Sequence, residues 1–65
     1  KVEVLKAIRG LSYEHQMVIK LFYVQEYSIK QISETLKISV GTTKSRLFYA
    51  RERLKLILKH RNNEN

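Results

Sequence analysis

The 65-residue sequence contains no cysteine and no proline, and its only glycines are Gly10 and Gly41. The absence of cysteine excludes disulfide bonds, thiolate chemistry and zinc sites built from cysteine. The absence of proline and the scarcity of glycine are typical of a compact helical unit with short turns. The longest apolar run, residues 21–24 when tyrosine is counted, is far shorter than the ~20 residues that a membrane-spanning helix needs. No secretory signal pattern is present, and because the chain begins with Lys1 we expect a fragment of a longer protein.

Aspartate is also absent, so 6 glutamates oppose 13 lysines and arginines and the formal net charge is +7. Residues 1–36 contain 5 basic and 4 acidic side chains, whereas residues 37–61 contain 8 basic side chains and Glu52 alone. Such a concentration of positive charge favours a surface for polyanions, with nucleic acid first and an anionic membrane second. A solvated basic helix that only keeps the protein soluble is the alternative.

The spacing of the apolar residues predicts one all-α domain of four helices over residues 1–60, without winged elements, followed by a frayed polar tail at 61–65. The first helix ends at Gly10, and its apolar stripe is Val2, Leu5 and Ile8. Ser12 caps the second helix. Its apolar stripe is Met17, Val18, Leu21 and Val24.

The third and fourth helices are separated by only three residues, 37–39. Ser28 and Gln31 form a capping box that begins the third helix, which buries Ile29, Ile32 and Leu36. Ser39 caps the fourth helix, which we expect to extend from Val40 to Lys59. Its inward positions are Val40, Thr43, Leu47, Ala50 and Leu54. A short helix, a three-residue turn and a longer basic helix predict a helix-turn-helix, whose second helix enters the DNA major groove.

Four segments of the chain, at 11–15, 27–33, 38–47 and 50–54, closely resemble region 4 of bacterial sigma factors. The resemblance is strongest to the extracytoplasmic-function branch of the sigma-70 family, and it covers residues 8–58. Its most specific part is VGTTKSR at 40–46 followed by AR at 50–51, which generic helix-turn-helix regulators seldom show complete.

This resemblance implies a domain that binds the promoter −35 element and directs RNA polymerase to transcription start sites. It also implies docking on the flap of the polymerase β subunit, masking by anti-sigma factors, and a location in the bacterial cytoplasm at the nucleoid. No cofactor, metal or catalytic centre is implied. By motif position, the residues expected to contact bases are Lys44, Ser45 and Phe48. The residues expected to contact the DNA backbone are Thr42, Arg46 and Arg51.

Two pairs of aromatic residues have competing interpretations. Phe48 and Tyr49 either pack against the third helix or contact thymine methyl groups and sugars. Phe22 and Tyr23 either complete the core or bind a partner. The second helix has more apolar residues than one stripe needs, with Ile19, Phe22 and Tyr23 left over, so we place the flap-binding surface at Phe22 and Tyr23.

The sequence departs from the family pattern at three positions. Ser33 replaces a frequent alanine of similar size, and Phe22 replaces a frequent arginine that would contact phosphate. Lys37 replaces a frequent glycine in the turn, where a left-handed backbone would cost ~1–2 kcal/mol. The two histidines, His15 and His60, lie 45 residues apart without companion ligands, so we expect neither a metal site nor catalysis.

Two other functions remain open at this point. A stand-alone transcription regulator of the response-regulator output type has a similar four-helix unit, but it normally dimerises and does not replace a sigma factor. A protein-interaction module with the same fold would instead use its basic helix against an acidic partner.

Overall fold

The structure is a computed structural model that describes residues 2–63, with side chains described for residues 3–60. It confirms the all-α fold, because the described residues form four helices and no strand. These are α1 (Val2–Arg9), α2 (Tyr13–Ile19), α3 (Ile29–Leu36) and α4 (Val40–Asn63). A π-helical segment, Lys20–Val24, continues α2. The fourth helix is four residues longer than predicted, and Glu64 and Asn65 of the expected tail lie outside the described residues.

The core forms where α4 packs against the three other helices. Its buried apolar side chains are Ala7, Ile8, Leu11, Val18, Ile19, Ile32, Leu47 and Ala50. Two buried hydroxyl groups are satisfied locally. Ser33 Oγ donates to the Lys30 carbonyl oxygen at 2.7 Å, and Thr43 Oγ1 donates to the Ser39 carbonyl oxygen at 3.0 Å. Burial therefore leaves neither hydroxyl without a partner.

The predicted apolar stripe of the second helix is wrong at its carboxyl end. Ile19 is 0% exposed and belongs to the core, whereas Val24 is 55% exposed. Phe22 is half-buried and packs against the core beside Val18 and Ile19. The observed stripe consists of Val18 and Ile19, with Leu21 and Phe22 packed beside them, so Leu21 is confirmed and the stripe still fits the helical period. Ile19 is therefore removed from the residues expected to bind a partner.

Leu5 and Val40 were also predicted to face the core, and both are exposed. Leu5 is half-exposed, and α1 instead contributes Ala7 and Ile8, with Leu11 following the helix. The side chain of Val2 lies outside the described residues. Val40 is exposed as well, because the first turn of α4 projects beyond the core and its buried face begins at Thr43.

Serine caps begin α2, α3 and α4, as the sequence predicts. The capping box at α3 is complete: Gln31 N–H donates to Ser28 Oγ at 3.0 Å, and Ser28 N–H donates to Gln31 Oε1 at 2.8 Å. At α4, Thr42 N–H donates to Ser39 Oγ at 2.9 Å. The corresponding bond to Ser12 is longer, 3.4 Å. The angle of the helix-turn-helix is therefore fixed by caps at both helix starts.

The geometry of these caps predicts different losses of stability on mutation. Ser28→Ala and Ser39→Ala should each lower the free energy of unfolding by ~0.5–2 kcal/mol, because each leaves a helix N–H group without its acceptor. Ser12→Ala is the matched comparison, and its longer bond predicts a smaller loss. Urea denaturation of the three variants measures the difference. Equal stability of the Ser39→Ala variant and the wild type would contradict the assigned start of α4.

Lys37 has a left-handed backbone, with φ 58° and ψ 46°, at the position where the family pattern often has glycine. It ends α3, where Lys37 N–H and Ile38 N–H both donate to the Ser33 carbonyl oxygen. These bonds close the helix in the manner of a Schellman motif, which ordinarily uses glycine. Glu26, after the π-helical segment, has a similar φ of 59°. The residues with this backbone strain therefore lie on either side of α3, Glu26 before it and Lys37 in the turn of the helix-turn-helix, and a glycine at either position would relieve the strain.

Lys37→Gly should accordingly stabilise the fold. We expect a gain of about 0.5–1 kcal/mol, since the relief of left-handed strain exceeds the added entropy of glycine in the unfolded chain. Glu34→Gly, inside α3, is the control and should lose about 1 kcal/mol. Thermal melts followed by circular dichroism report both changes. A lower melting temperature for Lys37→Gly would show that the lysine side chain compensates for its backbone.

Candidate nucleic-acid interface

The exposed side of α4 after the Ser39 cap forms a continuous arc whose residues do not pack in the core. This arc consists of Gly41, Lys44, Ser45, Phe48 and Tyr49. A side chain at Gly41 would meet only Ser39 Oγ, at an ordinary contact distance of 3.8 Å. Lys44 and Ser45 are exposed and make no hydrogen bond or ion pair with the described residues. Glycine disfavours a helix by about 1 kcal/mol relative to alanine. Gly41 therefore leaves the exposed side of the first turn of α4 without a side chain, although packing within the domain does not require this.

Two aromatic rings extend this arc along the helix. Phe48 is 52% exposed and Tyr49 is 61% exposed, and neither is part of the core. Their rings meet edge to face, with centroids 5.2 Å apart. The exposure of both rings favours the ligand-contact interpretation over packing against α3. An apolar surface of this kind, next to lysine and serine, matches the thymine methyl groups and sugars of a DNA groove.

Thr42 and Arg46 are less exposed than the sequence suggested, and each already contacts another side chain of the domain. Thr42 is half-buried, and its hydroxyl oxygen accepts a hydrogen bond from Ser39 Oγ at 2.9 Å. Arg46 is also partly buried: its side chain is 29% exposed, and its Nη2 lies 3.6 Å from Oε2 of Glu14 in the first turn of α2. An exposed ion pair of this kind contributes little stability. The contact with Glu14 nevertheless holds the Arg46 guanidinium at the edge of the arc.

Arg51 lies at the opposite edge of the arc. Its Nη1 donates to the Tyr23 hydroxyl oxygen at 3.2 Å. Arg46 and Arg51 are five residues apart, which separates them by about 140° around the helix. Each arginine is thus held by one end of the second helix: Arg46 by Glu14 at the start of α2, and Arg51 by Tyr23 in the π-helical segment.

The electrostatics of α4 favour an anionic ligand. Among the described side chains of this helix Glu52 is the only acidic one, and it accepts a hydrogen bond from Lys55 Nζ at 3.1 Å. The first four N–H groups of a helix also add a partial positive charge at its start. The charges near Lys44, Arg46 and Arg51 are therefore mainly positive, and Glu14 beside Arg46 is the exception.

An apolar groove lies between α1, the π-helical segment and the carboxyl-terminal half of α4. One part has a volume of about 320 Å³ and is bordered by Arg51 and Lys55. The adjoining part has a volume of about 430 Å³. The apolar side chains that line the groove are Val4, Leu5, Ile8, Ile19, Tyr23, Val24, Leu54 and Leu58. Tyr23 lies on this surface, whereas Phe22 packs against the core.

The described residues contain no cluster of three or more side chains suited to hold a metal ion. His15 is half-buried in α2 and His60 is exposed near the end of α4. No helix within residues 2–63 has the length and the apolar character that crossing a membrane requires.

A short capped helix, a tight turn and a long helix with an exposed cationic arc define a DNA-binding helix-turn-helix. Residues 1–54 match the family model "Sigma-70, region 4". The chain belongs to this family, as a region 4 domain of the extracytoplasmic-function type. It is also 46% identical over 52 residues to "ECF RNA polymerase sigma factor SigL" from three strains of Mycobacterium tuberculosis. The match covers 80% of the chain and only 29% of each relative.

The contacts that orient the two arginines are the part of the site that sequence reasoning missed. Glu14 and Tyr23 precede their partners by about thirty residues, and no spacing rule relates them. The available indication was the position of Glu14 in a helix that must cross the basic helix. Unless the angle and position at which the two helices cross are known, the sequence does not show which arginine Glu14 contacts.

Proposed function

We propose that the chain recognises the −35 element of a promoter as region 4 of a sigma factor, and so directs RNA polymerase to transcription start sites. The observation that carries this proposal is the arc at the start of α4. Gly41, Lys44 and Ser45 are exposed there, and the side chains of Lys44 and Ser45 make no hydrogen bond or ion pair with the described residues. Membership in the sigma-70 region 4 family supports the same function.

In this mechanism the first three turns of α4 enter the major groove. Lys44 and Ser45 donate hydrogen bonds to base edges, and Phe48 contacts a thymine methyl group. Arg46 and Arg51, at the two edges of the arc, bind phosphates of the groove walls and set the register. Thr42 assists through the α4 N-terminus, where N–H groups favour a phosphate. Region 4 is non-enzymatic in this family, and we assign the chain no catalytic role.

The partner in this function is the RNA polymerase core, through the flap of its β subunit. We place the flap in the apolar groove, with Tyr23 at its surface and Phe22 supporting the ring from the core side. The two rings meet edge to face at 4.9 Å, so Phe22 fixes the orientation of Tyr23. An anti-sigma factor that covers the same groove or the arc would silence the domain. The location that follows is the bacterial cytoplasm, at the nucleoid.

The test is a selection of bound duplexes from a random pool, with and without polymerase core. A single module of this size buries little surface on DNA, so we expect weak, salt-dependent binding of the isolated chain. Polymerase core should raise occupancy by tethering, without changing the preferred sequence. Tight binding of the isolated chain as a dimer would instead favour the stand-alone regulator.

A further inference from the structure

Tyr23 belongs to two surfaces at once. Its ring is 50% exposed and lines the apolar groove, where Arg51 is a neighbouring wall residue. Its hydroxyl oxygen accepts the hydrogen bond from Arg51 Nη1 at 3.2 Å. The two residues are 28 positions apart, so the contact exists only because the π-helical segment crosses α4 at this point.

The chemistry of this contact differs from that of the other arginine in the site. Glu14 offers Arg46 a negative charge, which competes with a phosphate for the same guanidinium. Tyr23 offers Arg51 a neutral oxygen, so the positive charge of Arg51 stays available. A guanidinium has five N–H donors in a rigid planar fork. After one bond to Tyr23, the remaining donors can still bind a phosphate in the bidentate manner.

The bond also restricts where those donors point. A free arginine samples many rotamers and loses that freedom when it binds a phosphate, which weakens binding. An arginine already oriented by a neighbour loses less. Tyr23 is itself held, because its ring meets Phe22 edge to face and Phe22 packs against the core. The orientation is thus transmitted from the core to Arg51.

We propose that Tyr23 is a positioning residue for DNA binding, whose hydroxyl orients the Arg51 guanidinium toward a backbone phosphate. The inference rests on the proposed function, since it assumes that Arg51 contacts DNA. It assigns Tyr23 a role on the DNA side that is separate from the contact of its ring with a partner in the groove. Tyr23→Phe separates the two roles, because it removes only the hydroxyl.

The experiment is a double-mutant cycle on DNA affinity, with the duplex obtained from the selection and fluorescence anisotropy as the readout. Tyr23→Phe should weaken binding by about threefold to tenfold, the range for ordering one long side chain on binding. In the Arg51→Ala background the same change should have no effect. Arg51→Ala should also lower the salt slope by about 0.9, whereas Tyr23→Phe should leave the slope and the base preference unchanged.

Two control variants test whether the loss of DNA affinity has a cause other than the missing hydrogen bond between Tyr23 and Arg51. Tyr13→Phe removes the hydroxyl of an exposed tyrosine at the start of α2 and should leave affinity unchanged. Arg51→Lys keeps the charge without the planar fork, so its affinity should not depend on the Tyr23 hydroxyl. Melting curves establish that each variant is folded as the wild type is.

Each remaining outcome overturns the inference in a different way. An equal loss in the wild-type and Arg51→Ala backgrounds would show that the hydroxyl acts through the fold. No loss in the wild-type background would show that Arg51 needs no orientation. If the wild type bound no duplex in the selection, the proposed function would fail first and the inference with it.

Discussion

Lys44→Ala is expected to change the base preference of the domain, whereas Arg46→Ala is expected to weaken binding to every duplex alike. Lys44 is exposed on the arc with no partner among the described residues, so its ammonium is available to base edges. Its loss should cost ~1–3 kcal/mol and relax preference at one or two base pairs. Arg46 lies at the edge of the arc, so its loss should reduce the salt slope by about 0.9.

Binding selections and salt titrations measure the two effects separately. Lys6→Ala provides the matched control, because it removes the same charge from an exposed position on α1. It should leave base preference unchanged and affect affinity only through the long-range field. Identical selection profiles and salt slopes for Lys44→Ala and Arg46→Ala would refute the division between base and phosphate contacts.

Ile19→Ala is expected to unfold most of the population at room temperature. Ile19 is among the largest fully buried side chains, and truncation of such a residue costs ~2–5 kcal/mol through lost burial and the cavity that remains. A domain this small rarely has more than ~3–5 kcal/mol in total. Val24→Ala, five positions later in the same helical stretch, should change stability by no more than about 0.5 kcal/mol because Val24 is exposed.

Far-UV circular dichroism with urea denaturation distinguishes the two variants. The comparison is sharp because the sequence pattern assigned the roles the other way round, with Val24 inside and Ile19 left over. A folded Ile19→Ala variant alongside an unstable Val24→Ala variant would restore the predicted stripe and contradict the packing of α2 described above.

The features that the sequence predicted well are the local ones. The capping box of Ser28 and Gln31 and the cap at Ser39 depend on residues three apart, and the chemistry of a serine before a helix determines them. The three-residue turn between α3 and α4 followed from the spacing of the two apolar stripes. All-α architecture and the cationic arc likewise followed from periodicity and charge along one helix.

The features that the sequence did not predict are those that depend on how helices cross. Almost every residue from 17 to 24 is apolar, so two overlapping sets of positions fit the helical period equally well. Packing against α4 determines which of the two sets is buried. The pairs of Glu14 with Arg46 and Tyr23 with Arg51 depend on the same crossing. Periodicity shows which residues share the apolar face of a helix, but it does not show which residues of another helix that face contacts.

The π-helical segment makes the site sensitive to chain length as well as to side-chain identity. In this segment Gln25 N–H donates to the Lys20 carbonyl oxygen, five residues back, and Tyr27 N–H donates to that of Leu21, six back. A π-bulge therefore accommodates more residues than an α-turn would. Inserting one residue between Lys20 and Phe22, where the wide turn already holds its extra residue, would turn the following positions by about 100° relative to α2. Such an insertion would thus uncouple Tyr23 from Arg51 while leaving every residue of α4 in place.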